Sequence, residues 1–464
     1  MQVSHSQAAV AVSFDEPNLV SAAGLLPVMR LAEAAGLRAL TDAHLSVPTD
    51  KGANAGLKIA SLVAGMVAGA DSIDDMALLR HGGMGRLFKA CYAPSTLGSF
   101  LRAFAFGHVR QLDAVAARFL ANLAARAPLL DAPAVGEFVF VDVDDTIIEV
   151  HGHAKQGAGF GYSGVRGLNA LLATATTAQS APVILAQRLR KGAAASPRGA
   201  SRLVADALSA LRRAGTPGRA LVRADSAFYG HPTVAAALAA GAEVSVTVRL
   251  DPAVKRAIAA IPSEAWTAIE YTDAVFDQAA GTWISRAEVA EVPFTAFASR
   301  KKAEQVTGRL VVRRIPDLNP KAPDGQGTLF DTHRHHAFFT TVPAQDLGTV
   351  AADATHRAHA VIEQVHADLK DSALAHLPSG KFAANSAWLV AAVMAFNLAR
   401  AAGTLAAGPF AKARTGTIRR KLVNLPARIA ASARKIRLRL PANWPWQNAW
   451  EQLFTAAHAP PSMP

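Results

Sequence analysis

Three carboxylates fall within four residues at the end of an apolar run, Phe138-Val-Phe-Val-Asp142-Val-Asp144-Asp145-Thr146. In an extended chain, alternation puts Asp142 and Asp144 on one face and Asp145 on the other. Carboxylates this close repel one another unless a cation sits among them; the plainer alternative is a pair of turn residues on a solvated edge. Asp225 closes a second apolar run, in Arg223-Ala-Asp-Ser-Ala-Phe-Tyr-Gly-His231, where an Asp can equally cap the helix that comes next. Glu363 lies in a helical stretch where positions 356, 359, 363, 366 and 370 share one face, so it joins a stripe with His356, His359, His366 and Lys370. An ordinary surface helix carries such a stripe too, and only beside the two aspartate groups does it point to chemistry. Oxygen donors of this kind suit hard divalent cations such as Mg²⁺ or Mn²⁺.

The elements that must position these acids can be read from periodicity. Apolar residues at three- and four-residue spacing predict helices at Leu26–Ala35, Leu57–Ala68 and Val115–Ala125, with Pro94-Ser-Thr starting another over Leu97–Ala105. From about residue 131 the pattern becomes β-branched and aromatic. Strands are expected at Glu137–Ile148, Gly161–Thr177 and Pro182–Arg190, then a helix at Gly199–Ala214, a strand at Arg219–Asp225, a helix at His231–Ala240 and a strand at Glu243–Leu250. The order β-β-β-α-β-α-β is how an RNase H-like core starts, although other α/β folds share it. Short strands at Trp266–Tyr271, Gly281–Ser285, Gln305–Arg314 and His336–Val342 suggest a β-rich insertion, with an exposed loop at Pro316–Thr328. Helices resume at Thr349–Asp371 and Phe382–Ala402. The expected organisation is a helical N-terminal domain (1–130), a first part of the core (131–250), the insertion (251–345), a second part with the acidic helix (346–405) and a basic C-terminal region (406–464).

At 464 residues, 51% of them hydrophobic, the chain has the composition of a folded protein of two or three domains and not of a disordered one. Cys91 is its one cysteine, which excludes a disulfide framework and a cysteine-based zinc site. The net charge of +13 favours a polyanionic partner. That charge is concentrated: Lys412, Arg414, Arg419, Arg420, Lys421, Arg428, Arg434, Lys435, Arg437 and Arg439 succeed one another with no acid between, which favours phosphate contact over a merely solvated basic face. Phe382–Ala399 is uncharged and barely long enough to span a bilayer; with Asn385, Ser386 and Asn397 in it, a buried helix is the better reading. No signal peptide is recognisable. The expectation is a cytoplasmic protein with no membrane partner.

Five stretches carry a resemblance: VDVDDTIIEVHGHAKQGAGFGYSGVRGLNALLA, LVRADSAFYGH, AEVPFTAF, HAVIEQVHADLKDSALAHLPSGKFAANSAWLV and TGTIRRKLVNLPARI. On them the chain resembles the DDE transposases of bacterial insertion sequences, in the branch called insertion-sequence family 1380, over nearly its whole length. The resemblance implies an RNase H-like fold with a β insertion ahead of the last acidic helix. It maps the catalytic acids to Asp144, Asp225 and Glu363. Asp144 is preferred over its neighbour Asp142 because Asp-Asp-Thr fits the Asp-x-Thr form of the first motif, and Asp142 stays open as a ligand. The wider group's third motif is Tyr, two residues, Arg, three residues, Glu, six residues, Lys. Here His356 and His359 replace Tyr and Arg, while Glu363 and Lys370 match; Arg357 is a substitute for the lost arginine.

The resemblance further implies two-metal chemistry, with Mg²⁺ or Mn²⁺ held by Asp144 (or Asp142), Asp225 and Glu363. Water frees a 3′-hydroxyl, which attacks the second strand or target DNA. Lys370, Arg357, Arg419, Arg420 and Lys421 contact DNA. The partners are terminal inverted repeats and target DNA, bound by a homodimer on paired ends. Trp283, in the insertion, is either a base-stacking or a structural residue; Tyr162 and Tyr229 read as structural. Two rivals are kept. Asp142-Val-Asp144-Asp145-Thr146 after an apolar strand also fits a haloacid-dehalogenase-like phosphohydrolase with Asp142 as nucleophile, but the later acidic motif is missing: Ala224 precedes Asp225 and Tyr229 stands where the second acid belongs. The other is an inactive, DNA-binding transposase relative.

Overall fold

The computed structural model describes residues 4, 9–48, 50–131, 137–161, 163–277, 282–316, 333–432 and 435–459. The architecture is mixed α/β, with N-terminal helices, a central sheet-rich region and C-terminal helices. It divides into two compact units: Met1–Leu129 with Gly152–Gln156 and Asp368–Pro464, and Leu130–His151 with Gly157–Ala367.

The first unit opens with strand β1 (Leu19–Val20) and helices α1 (Leu25–Ala34), α2 (Leu37–His44), α3 (Ala55–Ala68), α4 (Met84–Leu87), α5 (Pro94–Arg102) and α6 (Phe106–Ala124). Pro94 sits at the first position of α5, where its fixed φ is already helical and its missing N–H is not needed. In α6 the buried residues Val109, Leu112, Val115, Ala116, Phe119, Leu120 and Leu123 form the apolar stripe that periodicity requires.

The second unit contains β2 (Phe138–Glu149), β3 (Gly159–Phe160), β4 (Arg166–Thr176), β5 (Val183–Lys191), α7 (Ala200–Arg213), β6 (Arg219–Ala224), α8 (His231–Ala239), β7 (Glu243–Thr247) and α9 (Pro252–Ala259). This is the expected order with the two-residue β3 added. Strand β2 lies antiparallel to β4 and parallel to β6, β6 is parallel to β7, and β5 flanks β4. Residues 167–176 of β4 are buried without a break, as befits a strand covered on both faces.

The region expected as a separate insertion instead continues the same sheet. Strands β8 (Thr267–Asp277), β9 (Thr282–Ala296), β10 (Val306–Pro316) and β11 (His333–Thr340) come next, and β11 pairs antiparallel with β7 through Phe338↔Thr247, Phe339↔Val246 and Thr340↔Ser245. The result is one ten-stranded sheet, and these strands are longer than their patterns suggested, β9 reaching 15 residues. Long outer strands can carry Arg and Glu because those side chains pair across the ladder, as Arg314 does with Glu288 at 2.7 Å. Of the loop expected at Pro316–Thr328, residues 317–328 lie outside the described residues, as do Tyr162 and the side chain of Trp283.

Helix α10 (Thr349–Arg357) and helix α11 (Val361–Lys370) replace the single helix expected over Thr349–Asp371; a tighter 3₁₀ turn, Ala358–Ala360, separates them. The boundary between the units falls within α11. The first unit is then completed by α12 (Phe382–Ala406), α13 (Thr415–Ile418), β12 (Ala427–Ser432), β13 (Lys435–Arg439) and α14 (Gln447–His458).

Helix α12 packs against α3, α6 and α14 and is the axis of this unit. It is the one helix among the described residues long and apolar enough to cross a membrane, and 89% of its most apolar window is buried inside the protein. Its polar groups are satisfied there. Asn385 accepts from the Ser379 N–H at 2.9 Å and donates to the Ser379 carbonyl at 2.7 Å, and Arg400 donates to the carbonyls of Ala411 and Ala413. The two ends of the chain, expected as separate regions, are sewn together. Strand β1 pairs with β12, Ala23 N–H donates to Leu425 O, and Gly24 N–H donates to Val423 O. Gly24 is required at that approach, since a Cβ would stand 1.8 Å from the Leu422 carbonyl oxygen.

Candidate active site

Strand β2 brings its acids to different neighbours, and the parallel register with β6 decides how. Asp142 is the register partner of Arg223, and Val143 that of Ala224, so Asp144 and Asp225 lie one step beyond the last paired residues. Asp142 is 0% exposed and Arg223 1%; Arg223 Nε donates to Asp142 Oδ1 at 2.7 Å and Nη2 to Oδ2 at 2.8 Å. The remaining nitrogen, Nη1, donates to the Thr355 carbonyl in α10 at 2.6 Å, and the guanidinium lies 4.2 Å over the Phe140 ring. Burial pushes the Asp142 carboxyl up and Arg223 pulls it back down. Both oxygens of Asp142 are thus committed to Arg223.

Asp144, on the same face two residues on, has no such partner pair. Its side chain is 27% exposed and its Oδ2 stands 3.6 Å from His366 Nδ1 in α11. Its pKa is raised to about 7, first by burial and then by the neighbouring carboxylates Asp225, Asp145 and Glu363, against a lowering backbone hydrogen bond at Asp145. Asp144, on β2, therefore feels the charge of Asp225 at the end of β6 and of Glu363 in α11. Asp225 caps the short 3₁₀ turn Ser226–Phe228, accepting from Ala227 N–H at 2.9 Å. The capping role and a place in the acidic cluster coexist. Although Asp225 is exposed as a residue, its carboxyl lies deep enough for burial to raise its pKa, with Asp145 adding to the rise and His359 opposing it. Glu363 is exposed near the start of α11.

Asp145 points the other way, as alternation requires. It accepts from Arg190, from Asn169 Nδ2 at 2.9 Å and from Ser196 Oγ at 3.3 Å. Arg190 also donates to the carbonyls of Ser196 and Arg198, at 2.7 and 2.8 Å.

The helical stripe divides at the 3₁₀ turn. His356 is buried, with Nδ1 2.9 Å from Ser245 Oγ and Nε2 2.9 Å from Thr247 Oγ1, and its ring stacks on Phe338 at 4.1 Å. Burial and the charges of His359, Arg223 and Arg313 hold its pKa well below the usual imidazole range, so it is a neutral structural group. His359 Nδ1 donates to the His356 carbonyl at 2.7 Å. Arg357 is tied to Asp353 at 2.9 Å within α10. Lys370 is exposed at the end of α11. In the first unit, Arg419, Arg420 and Lys421 occupy a π-helical turn after α13; Arg420 is exposed, and Lys421 Nζ lies 4.5 Å over the Trp446 ring. Tyr229 stacks on Phe297 with centroids 5.2 Å apart, a packing role.

The donor chemistry of Asp144, Asp225 and Glu363 fits a hard divalent cation, which would offset the burial and the carboxylate repulsion that raise Asp144. As the side chains stand, no group of three or more His, Cys, Asp or Glu among the described residues is arranged to hold a metal ion.

The model of the family described as Transposase DDE domain group 1 matches residues 2–459. This chain belongs to the DDE transposase family. No curated protein matches it. Among solved structures, a piggyBac transposase synaptic complex with hairpin DNA, determined by cryo-electron microscopy, is similar over 88% of this chain and 80% of its own. The sequence identity is 10% and the TM-score 0.41.

In this transposase-family chain, sequence reasoning missed Arg223 and Arg190, the cations that hold Asp142 and Asp145. A signal for the first was present. Asp142 and Arg223 each stand two residues before a cluster acid on adjacent parallel strands, and a parallel register makes such positions neighbours.

Proposed function

We propose that this chain is a metal-dependent DNA transposase of the insertion-sequence family 1380 branch. It would cleave strands at element ends and join the freed 3′-hydroxyl to a second strand or to target DNA. The observation that carries this reading is the parallel register of β2 and β6, which leaves Asp144 and Asp225 each one step beyond the last paired residues in a chain that matches the DDE domain family over residues 2–459. An RNase H-like core is supported by the order β5-β4-β2-β6-β7, with β4 antiparallel to β2 and β6 and β7 parallel to it.

Asp144, Asp225 and Glu363 would hold Mg²⁺ or Mn²⁺. When bound, such ions polarise the phosphoryl oxygen, lower the pKa of the attacking group and stabilise the leaving oxygen. Asp142 is left out of the ligand set because Arg223 takes both its oxygens. The chain's own work is to hold the three acids in place. β2 and β6 fix the two aspartates through their register, Ala227 N–H orients Asp225, and α11 presents Glu363 from its first turn. Lys370, on the Glu363 face, would bind a DNA phosphate, with Arg419, Arg420 and Lys421 giving further contacts to terminal repeats or target DNA. Arg357 is the weaker candidate, being held by Asp353. A homodimer on paired ends, acting in the cytoplasm, completes the reading.

The phosphohydrolase alternative needs Asp142 as an exposed nucleophile, and it is buried and bound on both oxygens. An inactive DNA-binding relative remains the second reading, favoured by His356, which packs into the core where the family motif has a tyrosine. One assay separates them: cleavage of the element's own terminal repeats by purified protein with Mg²⁺, beside Glu363→Gln. Nicking at the repeat boundary that disappears in the variant, with end binding retained, supports the transposase. Cleavage that survives Glu363→Gln would sink the assignment, and binding without any cleavage favours the inactive relative.

A further inference from the structure

The paired strands β12 and β13 have a charge arrangement that the folded chain alone does not explain. Its register pairs Arg428 with Arg439, Ala430 with Arg437 and Ser432 with Lys435. Directly paired residues project from the same face, so Arg428, Lys435, Arg437 and Arg439 all belong to one side of the ribbon. The alternate positions supply the opposite face, where Ala427 and Ile429 are buried and Leu438 is half-buried. All four cations are exposed. Arg428 has an acidic partner, Glu16 at 3.3 Å, whereas among the described residues Lys435, Arg437 and Arg439 have none. Strand β13 is moreover the free edge of its three-stranded sheet.

Like charges placed directly across an antiparallel pair destabilise it, and Arg428 opposite Arg439 is such a pair. An anion lying over this face would turn the repulsion into attraction. The geometry matches an extended polyanion better than a small one. Along β13 the three cations step by about 6.7 Å, and β12 lies about 4.8 Å to the side. Duplex DNA offers phosphates on both walls of a major groove about 12 Å wide, which admits a two-stranded ribbon.

We propose that the β12–β13 ribbon is a duplex-DNA docking element, with Lys435, Arg437 and Arg439 each contacting a backbone phosphate. The inference rests on the proposed DNA partner and adds a second surface, built on a different element from the acidic cluster and from the turn holding Arg419, Arg420 and Lys421.

The test is the salt dependence of binding by the full chain to a duplex carrying the terminal repeat of its own element. Each phosphate contact contributes a slope of about −0.9 in log affinity against log salt, so K435Q/R437Q/R439Q should flatten the slope by about 2.7. Between 50 and 200 mM salt the wild type should then lose about 40-fold more affinity than the variant. Melting serves as a folding check: the variant should melt no lower than wild type, because the substituted residues are exposed and one repulsive cross-strand pair is relieved. A control triple at exposed lysines elsewhere, K255Q/K301Q/K302Q, should keep the wild-type slope. An unchanged slope in the ribbon variant, with wild-type binding intact, overturns the docking element alone. An equal loss in the control overturns it too, since net charge would then be the cause. Failure of the wild type to bind any duplex removes the transposase reading and this inference with it.

Discussion

Asp142 and Arg223 are register partners on adjacent parallel strands, and their side chains close a two-pronged ion pair with almost no exposure to solvent. The pair lies two residues before Asp144 on one strand and two before Asp225 on the other. Through Nη1, Arg223 also holds the Thr355 carbonyl of α10, eight residues ahead of Glu363. One guanidinium thus ties the strands leading to Asp144 and Asp225 to α10, the helix that precedes the one carrying Glu363. Positioning of this kind matters because metal-site geometry tolerates errors of only about half an ångström.

Removing Arg223 should be among the most damaging substitutions in the protein. Arg223→Met strands the Asp142 carboxylate in the core, and breaking a buried pair in this way costs about 3–5 kcal/mol. Replacing both members, Asp142→Leu with Arg223→Met, should cost much less than the sum of the single changes. Urea denaturation of the two single variants and the double checks this; additive losses would mean the pair is not coupled.

Asp144 should be a destabilising residue in protein free of divalent ions. Its folded pKa, about 7, lies above the ordinary aspartate value of 3.8. Its contribution is therefore fully present below about pH 4 and is lost as pH rises through 7. The loss is at most about 4 kcal/mol at neutral pH, since each pK unit is worth about 1.4 kcal/mol. Asp144→Asn should raise the melting temperature at pH 8 in chelator and flatten its fall between pH 5 and 8. Added Mg²⁺ should stabilise the wild type and leave the variant nearly unmoved. A wild-type melting temperature that climbs over this range because of Asp144 would contradict the assignment.

The acid-bearing strands were legible because each opens with a β-branched or apolar run that leads into an acid, although β2 continues past Asp144 and Asp145 to Glu149. Glu363 was legible as a position and not as a structure. Periodicity joined 356 to 370 into one stripe, but the turn at Ala358–Ala360 puts His356 into the core between Phe338 and the hydroxyls of Ser245 and Thr247. What the pattern could not carry was pairing between distant segments. Nothing local in Phe338-Phe339 specifies Val246 and Thr247 as partners, so the insertion looked separate from the sheet it extends. The union of β1 with β12 escaped for the same reason.

His356 should contribute an acid-sensitive part of the stability. Its pKa is held well below 6.5, chiefly by burial, so the native state requires the neutral ring. Its contribution is complete above the unfolded value of about 6.5 and is lost as pH falls toward the depressed folded value. His356→Gln, which keeps hydrogen-bonding capacity but cannot charge, should melt below wild type at pH 8 by several degrees. It should lose less than wild type between pH 7 and 5. Parallel melting curves for the two proteins over that range would show that His356 does not titrate with unfolding.

Arg190 should govern the loop after β5. Its guanidinium holds Asp145 and Asn169 on the sheet and reaches the carbonyls of Ser196 and Arg198 on the loop, so one side chain pins residues 195–198 to the strand bearing the acids. Arg190→Ala leaves Asp145 half-satisfied and frees those carbonyls, a loss of about 3 kcal/mol or more for a largely buried charged network. The loop should open before the core does, because its own residues bury little apolar surface. Limited trypsin digestion should therefore cut after Arg198 at least tenfold faster in the variant while helix α7 and the rest of the sheet stay resistant. Should cleavage instead spread evenly through the second unit, Arg190 would be holding the whole sheet and not this loop.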